Sequence, residues 1–114
     1  MSNCIFCGIA EKRLSAKILY EDTLCLAFED ISPKAPSHVL IIPRKHIESL
    51  DAMEETDEGM MGHLFLVAKN LARERRIAVS GYRVVLNTGL EAGQSVFHLH
   101  LHLLGGRRMA WPPG

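Results

Sequence analysis

The feature that most constrains this chain is a run of alternating residues near its C-terminus, His98-Leu99-His100-Leu101-His102-Leu103. Successive side chains of an extended strand point to opposite faces, so the histidines share one face and the leucines share the other. The leucine face predicts a buried core. The chain contains 6 histidines, and half of them lie in this segment. Because imidazole titrates near neutral pH, binds metals and can act as a nucleophile, the histidine face predicts a reaction site.

Length and composition predict one domain over residues 1–114, with no affinity for nucleic acid or membranes. A chain of 114 residues suits a single domain, and a hydrophobic content of 47% supplies a core. The charges balance, with 13 Lys+Arg and 13 Asp+Glu, which argues against binding to nucleic acid or anionic lipid. Apolar runs such as 39–42 are too short to span a bilayer. The segment 1–7 lacks the features of a signal peptide, so a cytoplasmic location is expected.

The spacing of apolar residues and breakers predicts an α+β fold of strands with one long helix. Strands are expected over 17–21, 24–29, 39–43, 82–87 and the histidine segment, and short helical segments over 4–11 and 46–53. The long helix is expected from Asp57 to Ile77 with Thr56 as its N-cap. Its buried face is predicted to carry Met61, Leu64, Phe65, Ala68, Leu71 and Ala72. This order is typical of an antiparallel sheet with a helix packed on one face.

The histidine row has three interpretations. Strand geometry places the Cβ atoms of His98 and His102 about 13 Å apart, whereas zinc–nitrogen bonds are about 2 Å long, so a metal site built by this row alone is disfavoured. As a nucleophile, the central His100 has an imidazole on each side that can fix its tautomer. The nearby donors Ser95 and Asn87 suit a phosphate electrophile. A solvated polar strand face is the third interpretation.

A Cys4-x-x-Cys7 pair forms a second candidate site. As a bare pattern it allows zinc binding, redox chemistry or two small buried hydrophobes. In a reducing compartment a metal or redox element is favoured over a structural disulfide. The third cysteine, Cys25, lies in a predicted strand and is expected to be buried.

The segment His98-Leu-His-Leu-His-Leu-Leu104 resembles the signature of the histidine triad (HIT) superfamily, and the resemblance covers essentially the whole chain. The segment 28–38 is similar to that family's nucleoside-binding loop, and 93–98 to its phosphate-binding approach. The C-terminal segment 104–114 resembles the tail of the Hint branch, the histidine triad nucleotide-binding proteins. The resemblance implies a five-stranded antiparallel sheet with one long helix and a short N-terminal helix. It also implies a homodimer with a continuous ten-stranded sheet.

The resemblance further implies a hydrolase that cleaves the P–N bond of purine nucleoside 5′-phosphoramidates and binds purine nucleoside monophosphates. His100 would attack the α-phosphorus, the amine would leave, and water would release the monophosphate from a nucleotidyl-histidine intermediate. No cofactor is expected to be needed for catalysis. The residues expected to take part in catalysis are His100, His102, His98, His38 and Ser95.

By the same resemblance, Asp30 would hold the ribose hydroxyls, while Phe28, Ile31 and Leu40 would flank the base. The remaining nucleotide contacts are expected from Asn87, Gly93, Gln94, Ser95, His100 and His102. The tail around Trp111 would reach toward the site of a partner subunit.

Some members of the superfamily carry Cys-x-x-Cys at the matching position and hold a structural zinc ion with two thiolates and two histidines. The matching residues here are Cys4, Cys7, His46 and His98.

Two other functions stay open. One is a nucleotide-sensing or scaffold protein with residual hydrolysis. The other is a dinucleoside polyphosphate hydrolase or nucleotidyltransferase of a sister branch, although Ser95 and the tail Trp111-Pro-Pro-Gly114 point away from it.

Overall fold

The computed structural model describes residues 3–114, so the first two residues of the predicted domain lie outside it. Five strands form one antiparallel sheet in the order β1-β2-β3-β5-β4. Their bounds are β1 Ile18–Glu21, β2 Cys25–Glu29, β3 Ser37–Pro43, β4 Tyr82–Val85 and β5 Leu101–Gly105. A short helix, α1, spans Ile5–Ala10, and the long helix, α2, spans Glu58–Glu74. The predicted α+β fold is therefore confirmed.

The sheet separates two apolar clusters, one against each helix. The α2 side holds the larger cluster, which includes the fully buried Leu99, Leu101 and Leu103. The α1 side holds a smaller cluster of Phe6, Ile9, Ala10, Leu26, Phe28, Leu40 and Ile42. The predicted leucine face is thus the core face. The histidines lie on the opposite face of the sheet, beneath α1.

The predicted histidine strand is wrong at its beginning, because β5 begins only at Leu101. Beyond the pairing of Ile41 with Leu101, the chain turns away from β3. Its backbone finds another partner there, since Leu99 N donates to Ile47 O at 2.7 Å. The alternation of faces persists without the ladder, with Leu99 in the core and His98 and His100 buried on the other side.

The long helix also begins and ends inside its predicted limits. Thr56 is not its N-cap, because it lies in a 3-10 turn, Glu55–Asp57, that precedes α2. The backbone N–H of Glu54 donates to the Asp57 carboxylate there. Phe65 was predicted to be buried but is 49% exposed, and Val67 takes the core position instead.

A polar junction ties the β1–β2 turn to α2. The Asp22 carboxylate accepts hydrogen bonds from the Tyr20 hydroxyl, from His63 Nε2 at 2.6 Å, and from the backbone N–H groups of Leu24 and Cys25. Cys25 is fully buried, as predicted, and this burial raises the pKa of its thiol to about 12. None of the helices in residues 3–114 has the length and apolar character needed to cross a membrane.

Candidate active site

A cavity of about 720 Å³ lies between α1 and the histidine face of the sheet. His100 and His102 line this cavity, and so do Phe28, Asp30 and Ser95. His102 lies on β5, opposite Leu40 of β3, and His38 lies near the start of β3. The fold therefore gathers, in one place, side chains that are up to 74 residues apart in sequence, from Phe28 to His102.

The hydrogen bond of His100 fixes which of its ring nitrogens can react. His100 Nδ1 lies 2.7 Å from the backbone oxygen of His98. A carbonyl oxygen only accepts, so Nδ1 carries the proton and Nε2 of the neutral ring keeps its lone pair. The edge-on ring of Phe6, 5.0 Å away between centroids, packs against this imidazole. Burial lowers the pKa of His100, which favours the neutral form of the ring.

A hydrogen-bonded chain assigns the opposite tautomer to His102. The backbone N–H of Lys34 donates to His38 Nδ1 at 3.0 Å, so the proton of neutral His38 is on Nε2. His38 Nε2 lies 2.9 Å from His102 Nδ1, which therefore accepts. The proton of His102 is left on Nε2, as a donor available to a ligand. Burial, followed by the charges of His100 and His38, lowers the pKa of His102 to about 4.

Asp30 stands beside this chain on the loop that follows β2. Its Oδ1 accepts from the Ser32 backbone N–H at 2.7 Å, and its Oδ2 lies 3.5 Å from His38 Nε2. Its negative charge raises the pKa of His38, His100 and His102 against the larger effect of burial. Asp30 lines the cavity, so a carboxylate oxygen is available to the hydroxyl groups of a bound ligand.

A second cluster of side chains brings together two cysteines and two histidines, Cys4, Cys7, His46 and His98. Their ligand atoms all lie within 4.8 Å of one another. His98 Nε2 donates to Pro43 O at 2.8 Å, so its Nδ1 has no proton and directs a lone pair toward the two sulfur atoms. Its side chain is fully buried. The cluster is therefore a set of four atoms that could bind a metal ion, and the Nδ1 atom of His98 is in the tautomer that such binding requires.

The spacing of these atoms fits a four-coordinate zinc ion. Bonds of about 2.0–2.1 Å to nitrogen and 2.3 Å to sulfur give tetrahedral edges of about 3.3 Å between nitrogens and about 3.6 Å between nitrogen and sulfur. The two Nδ1 atoms of His46 and His98 are 3.2 Å apart. Cys7 Sγ lies 3.3 Å from His46 Nδ1 and 3.6 Å from His98 Nδ1, and Cys4 Sγ lies 3.4 Å from His98 Nδ1. The residues present could hold such an ion with no exchangeable position.

Of the other residues predicted from the sequence, Ile31 and Leu40 line the cavity, whereas Asn87, Gly93 and Gln94 are not among its lining residues. The Gln94 side chain is used by the protein itself, because its Oε1 accepts from Gly89 N and its Nε2 donates to Glu48 O. Gln94 therefore holds the loop that presents Ser95.

One wall of the cavity, formed by α1, is not predicted from the sequence. Ile5, Phe6 and Ile9 of α1 line it, together with Ser15, Ala16 and Lys17. The apolar spacing of Ile5, Phe6 and Ile9 indicated a buried helix face, but the sequence alone does not show that this face covers the histidines. The position of α1 over the histidine face makes its apolar residues part of the site.

The sequence and the fold of this chain are both similar to those of known proteins. The model of the HIT domain matches residues 11–109. An uncharacterized HIT-like protein of Synechocystis is 51% identical over 110 residues, which is 96% of each chain. The crystal structure of a HIT family hydrolase from Legionella pneumophila has a TM-score of 0.96 and 46% identity, and covers 98% of this chain and 100% of that one. A histidine triad nucleotide-binding protein from Candida albicans has a TM-score of 0.82 and 31% identity, over 96% of this chain and 83% of that one.

Proposed function

The chain belongs to the HIT domain family, and from the chemistry of its site we propose that it hydrolyses the P–N bond of purine nucleoside 5′-phosphoramidates. The observation that carries the proposal is the tautomer of His100. Its Nδ1 proton is held by the His98 carbonyl, so a neutral imidazole in the cavity wall offers the Nε2 lone pair as a nucleophile. The HIT family hydrolase from Legionella pneumophila, which has nearly the same fold, supports hydrolysis as the reaction class.

The reaction has two steps in this proposal. His100 Nε2 forms a bond to the α-phosphorus, the P–N bond breaks, and the leaving nitrogen takes a proton and departs as an amine. His102 Nε2–H donates a hydrogen bond to the phosphoryl group, and the leaving nitrogen takes its proton from solvent. The hydrogen bond from His38 Nε2–H to His102 Nδ1 keeps His102 in this tautomer. Water then attacks the phosphorus, the P–Nε2 bond breaks, and the nucleoside monophosphate leaves with His100 restored.

The rest of the cavity suits a nucleoside. Phe28, Ile31 and Leu40 supply an apolar slot for a purine, and Asp30 can accept hydrogen bonds from both ribose hydroxyls. Ser95 adds a hydroxyl donor to the wall of the same cavity. Within the superfamily we assign the chain to the Hint branch, on Ser95 and the tail Trp111-Pro-Pro-Gly114.

Adenosine 5′-phosphoramidate and diadenosine tetraphosphate separate this function from its alternatives. We expect the wild-type protein to release AMP from the phosphoramidate much faster than from the dinucleotide, and His100→Ala to be inactive toward both. Acid quenching during turnover should trap a nucleotidyl adduct in the wild type, detectable by intact mass. An intact phosphoramidate would refute the proposal, and a preference for the dinucleotide would place the chain in the sister branch.

We further propose that Cys4, Cys7, His46 and His98 hold a structural zinc ion. The tetrahedral spacing and the exposed lone pair of His98 Nδ1 support it. Zinc would supply rigidity and no step of the reaction. It would hold the His98 main chain, whose carbonyl fixes the tautomer of His100.

We propose a cytoplasmic homodimer as the working form. Phe65 and Leu66 on α2 are 49% and 57% exposed, and Tyr82 lies on the edge strand β4 and is 39% exposed. Pairing of two β4 edges would cover these apolar side chains and join the sheets into ten strands. Sedimentation equilibrium should give twice the 12.7 kDa chain mass, and a monomer at micromolar concentration would contradict this assembly.

A further inference from the structure

A second cavity, of about 390 Å³, adjoins the first one on the other side of Ser95. Three residues line both cavities and so form the boundary between them: Ile5, Ser95 and Val96. Cys4, His46, Glu48 and Phe97 are among the other residues of the second cavity. A ligand that reaches across Ser95 therefore enters a space of different character from the apolar slot for the nucleoside.

The position of this second cavity suits the leaving group of the reaction proposed above. In the proposed reaction the nucleoside would fill the side of the first cavity lined by Phe28 and Asp30, and the phosphorus would lie within reach of His100. In a displacement at phosphorus the attacking and leaving atoms are roughly in line, so the leaving nitrogen points away from the attacking imidazole. Ser95 marks a boundary of the first cavity, and the space beyond it is the second cavity.

The charge of the second cavity is negative. Glu48 lines it, and none of its described lining residues is lysine or arginine. Among residues 3–114, no ion pair engages the Glu48 carboxylate. The main chain of Glu48 is fixed relative to the loop that presents Ser95, because Gln94 Nε2 donates to Glu48 O at 2.7 Å. A carboxylate without an internal partner, held next to Ser95, is available to a cation from the ligand.

From these observations we propose that the second cavity is the leaving-group subsite, and that Glu48 makes it favour amines that carry a second positive charge, such as diamines. The inference rests on the proposed phosphoramidase activity and names its preferred substrate class. Glu48 is exposed to solvent, so its charge contributes a modest preference, about 2- to 5-fold in kcat/KM.

Three adenosine phosphoramidates with leaving amines of similar length test the proposal. The amines are 1,3-diaminopropane, which keeps one positive charge, butylamine, which is neutral, and β-alanine, which is negative. AMP release is followed for the wild type, for Glu48→Gln, and for Glu91→Gln as the matched control. Glu91 is an exposed glutamate in the 3-10 turn Leu90–Ala92 that precedes the same loop, and it does not line the cavity.

We expect the wild type and Glu91→Gln to prefer the diamine conjugate over the butylamine conjugate, and the β-alanine conjugate to be the poorest. Glu48→Gln should cleave the neutral conjugate at the wild-type rate while losing the preference among the three. Equal rates for all three conjugates in the wild type, or an unchanged preference in Glu48→Gln, would overturn the assignment. Failure to cleave any conjugate, including unsubstituted adenosine 5′-phosphoramidate, would instead overturn the proposed activity itself.

Discussion

Acid should destabilise the wild-type protein more than a His102→Asn variant, because the fold holds His102 in its neutral form. Burial, and then the neighbouring His100 and His38, lowers the pKa of His102 from 6.5 to about 4. Asparagine is the matched replacement, since its Oδ1 can take the place of Nδ1 and accept the hydrogen bond from His38 Nε2. The variant therefore removes the titrating ring and keeps the partner of His38.

The expected magnitude follows from proton binding. A histidine whose pKa is lower in the folded state binds fewer protons there, so stability is full above pH 6.5 and is lost as the pH falls toward 4. With a pKa of 6.5 unfolded and about 4 folded, His102 alone lowers the free energy of unfolding by about 2 kcal/mol between pH 7 and pH 5. The pKa of His38 is also lowered, mainly by burial, and it adds a loss of the same sign in both proteins.

Urea unfolding at pH 7 and pH 5, followed by circular dichroism, gives the four free energies required. Protonation of the other histidines and any loss of metal at pH 5 affect both proteins, so these contributions largely cancel in the double difference. We expect the wild type to lose about 2 kcal/mol more than the variant over this interval. Equal losses in the two proteins would refute the conclusion that the fold keeps His102 neutral.

Three further changes test separate parts of the structure. Cys4→Ser should abolish stoichiometric zinc in the purified protein, measured by atomic absorption, and a full zinc content would contradict the four-ligand site. Gly105→Ala should lower the free energy of unfolding by about 1–3 kcal/mol in a urea titration, because its Cβ would lie 2.5 Å from Ile77 Cδ1; Gly62→Ala, with open space in α2, should not destabilise the protein. Asp30→Asn should weaken AMP binding in calorimetry far more than 2′,3′-dideoxy-AMP binding, and an equal loss for both would remove Asp30 from the ribose.

The sequence predicted the inward and outward faces of the histidine segment but not where its strand begins. Alternation is a property of extended backbone, and it holds for Leu99 and His100 although neither lies in β5. Whether extended backbone is paired depends on the partner strand, and here the Ile47 carbonyl oxygen accepts from Leu99 N in place of a ladder hydrogen bond. A pattern within one segment carries no information about such distant acceptors.

The helix shows the same division between local and distant causes. Spacing placed Leu64, Ala68 and Leu71 correctly in the core, because any helix that packs on a sheet needs an apolar stripe. The exact centre of that stripe depends on how the helix lies on the sheet, which decided between Phe65 and Val67. In the proposed homodimer, the partner subunit would cover the aromatic ring that is left exposed.

The different roles of the three histidines come from their hydrogen-bond acceptors, which the repeating sequence does not reveal. His98 donates a hydrogen bond from Nε2–H to Pro43 O, which leaves Nδ1 unprotonated on the side of the cysteines. His100 donates a hydrogen bond from Nδ1–H to the carbonyl of His98, which leaves Nε2 unprotonated in the cavity wall. Because the carbonyl of the proposed zinc ligand is the acceptor that fixes the proposed nucleophile, a distortion at the metal cluster must reach the reacting nitrogen through one residue. Residue type, spacing and the family resemblance predicted both sites and placed His98 in each, whereas the hydrogen bond from His100 Nδ1 to the His98 carbonyl, which joins them, is seen only in the fold.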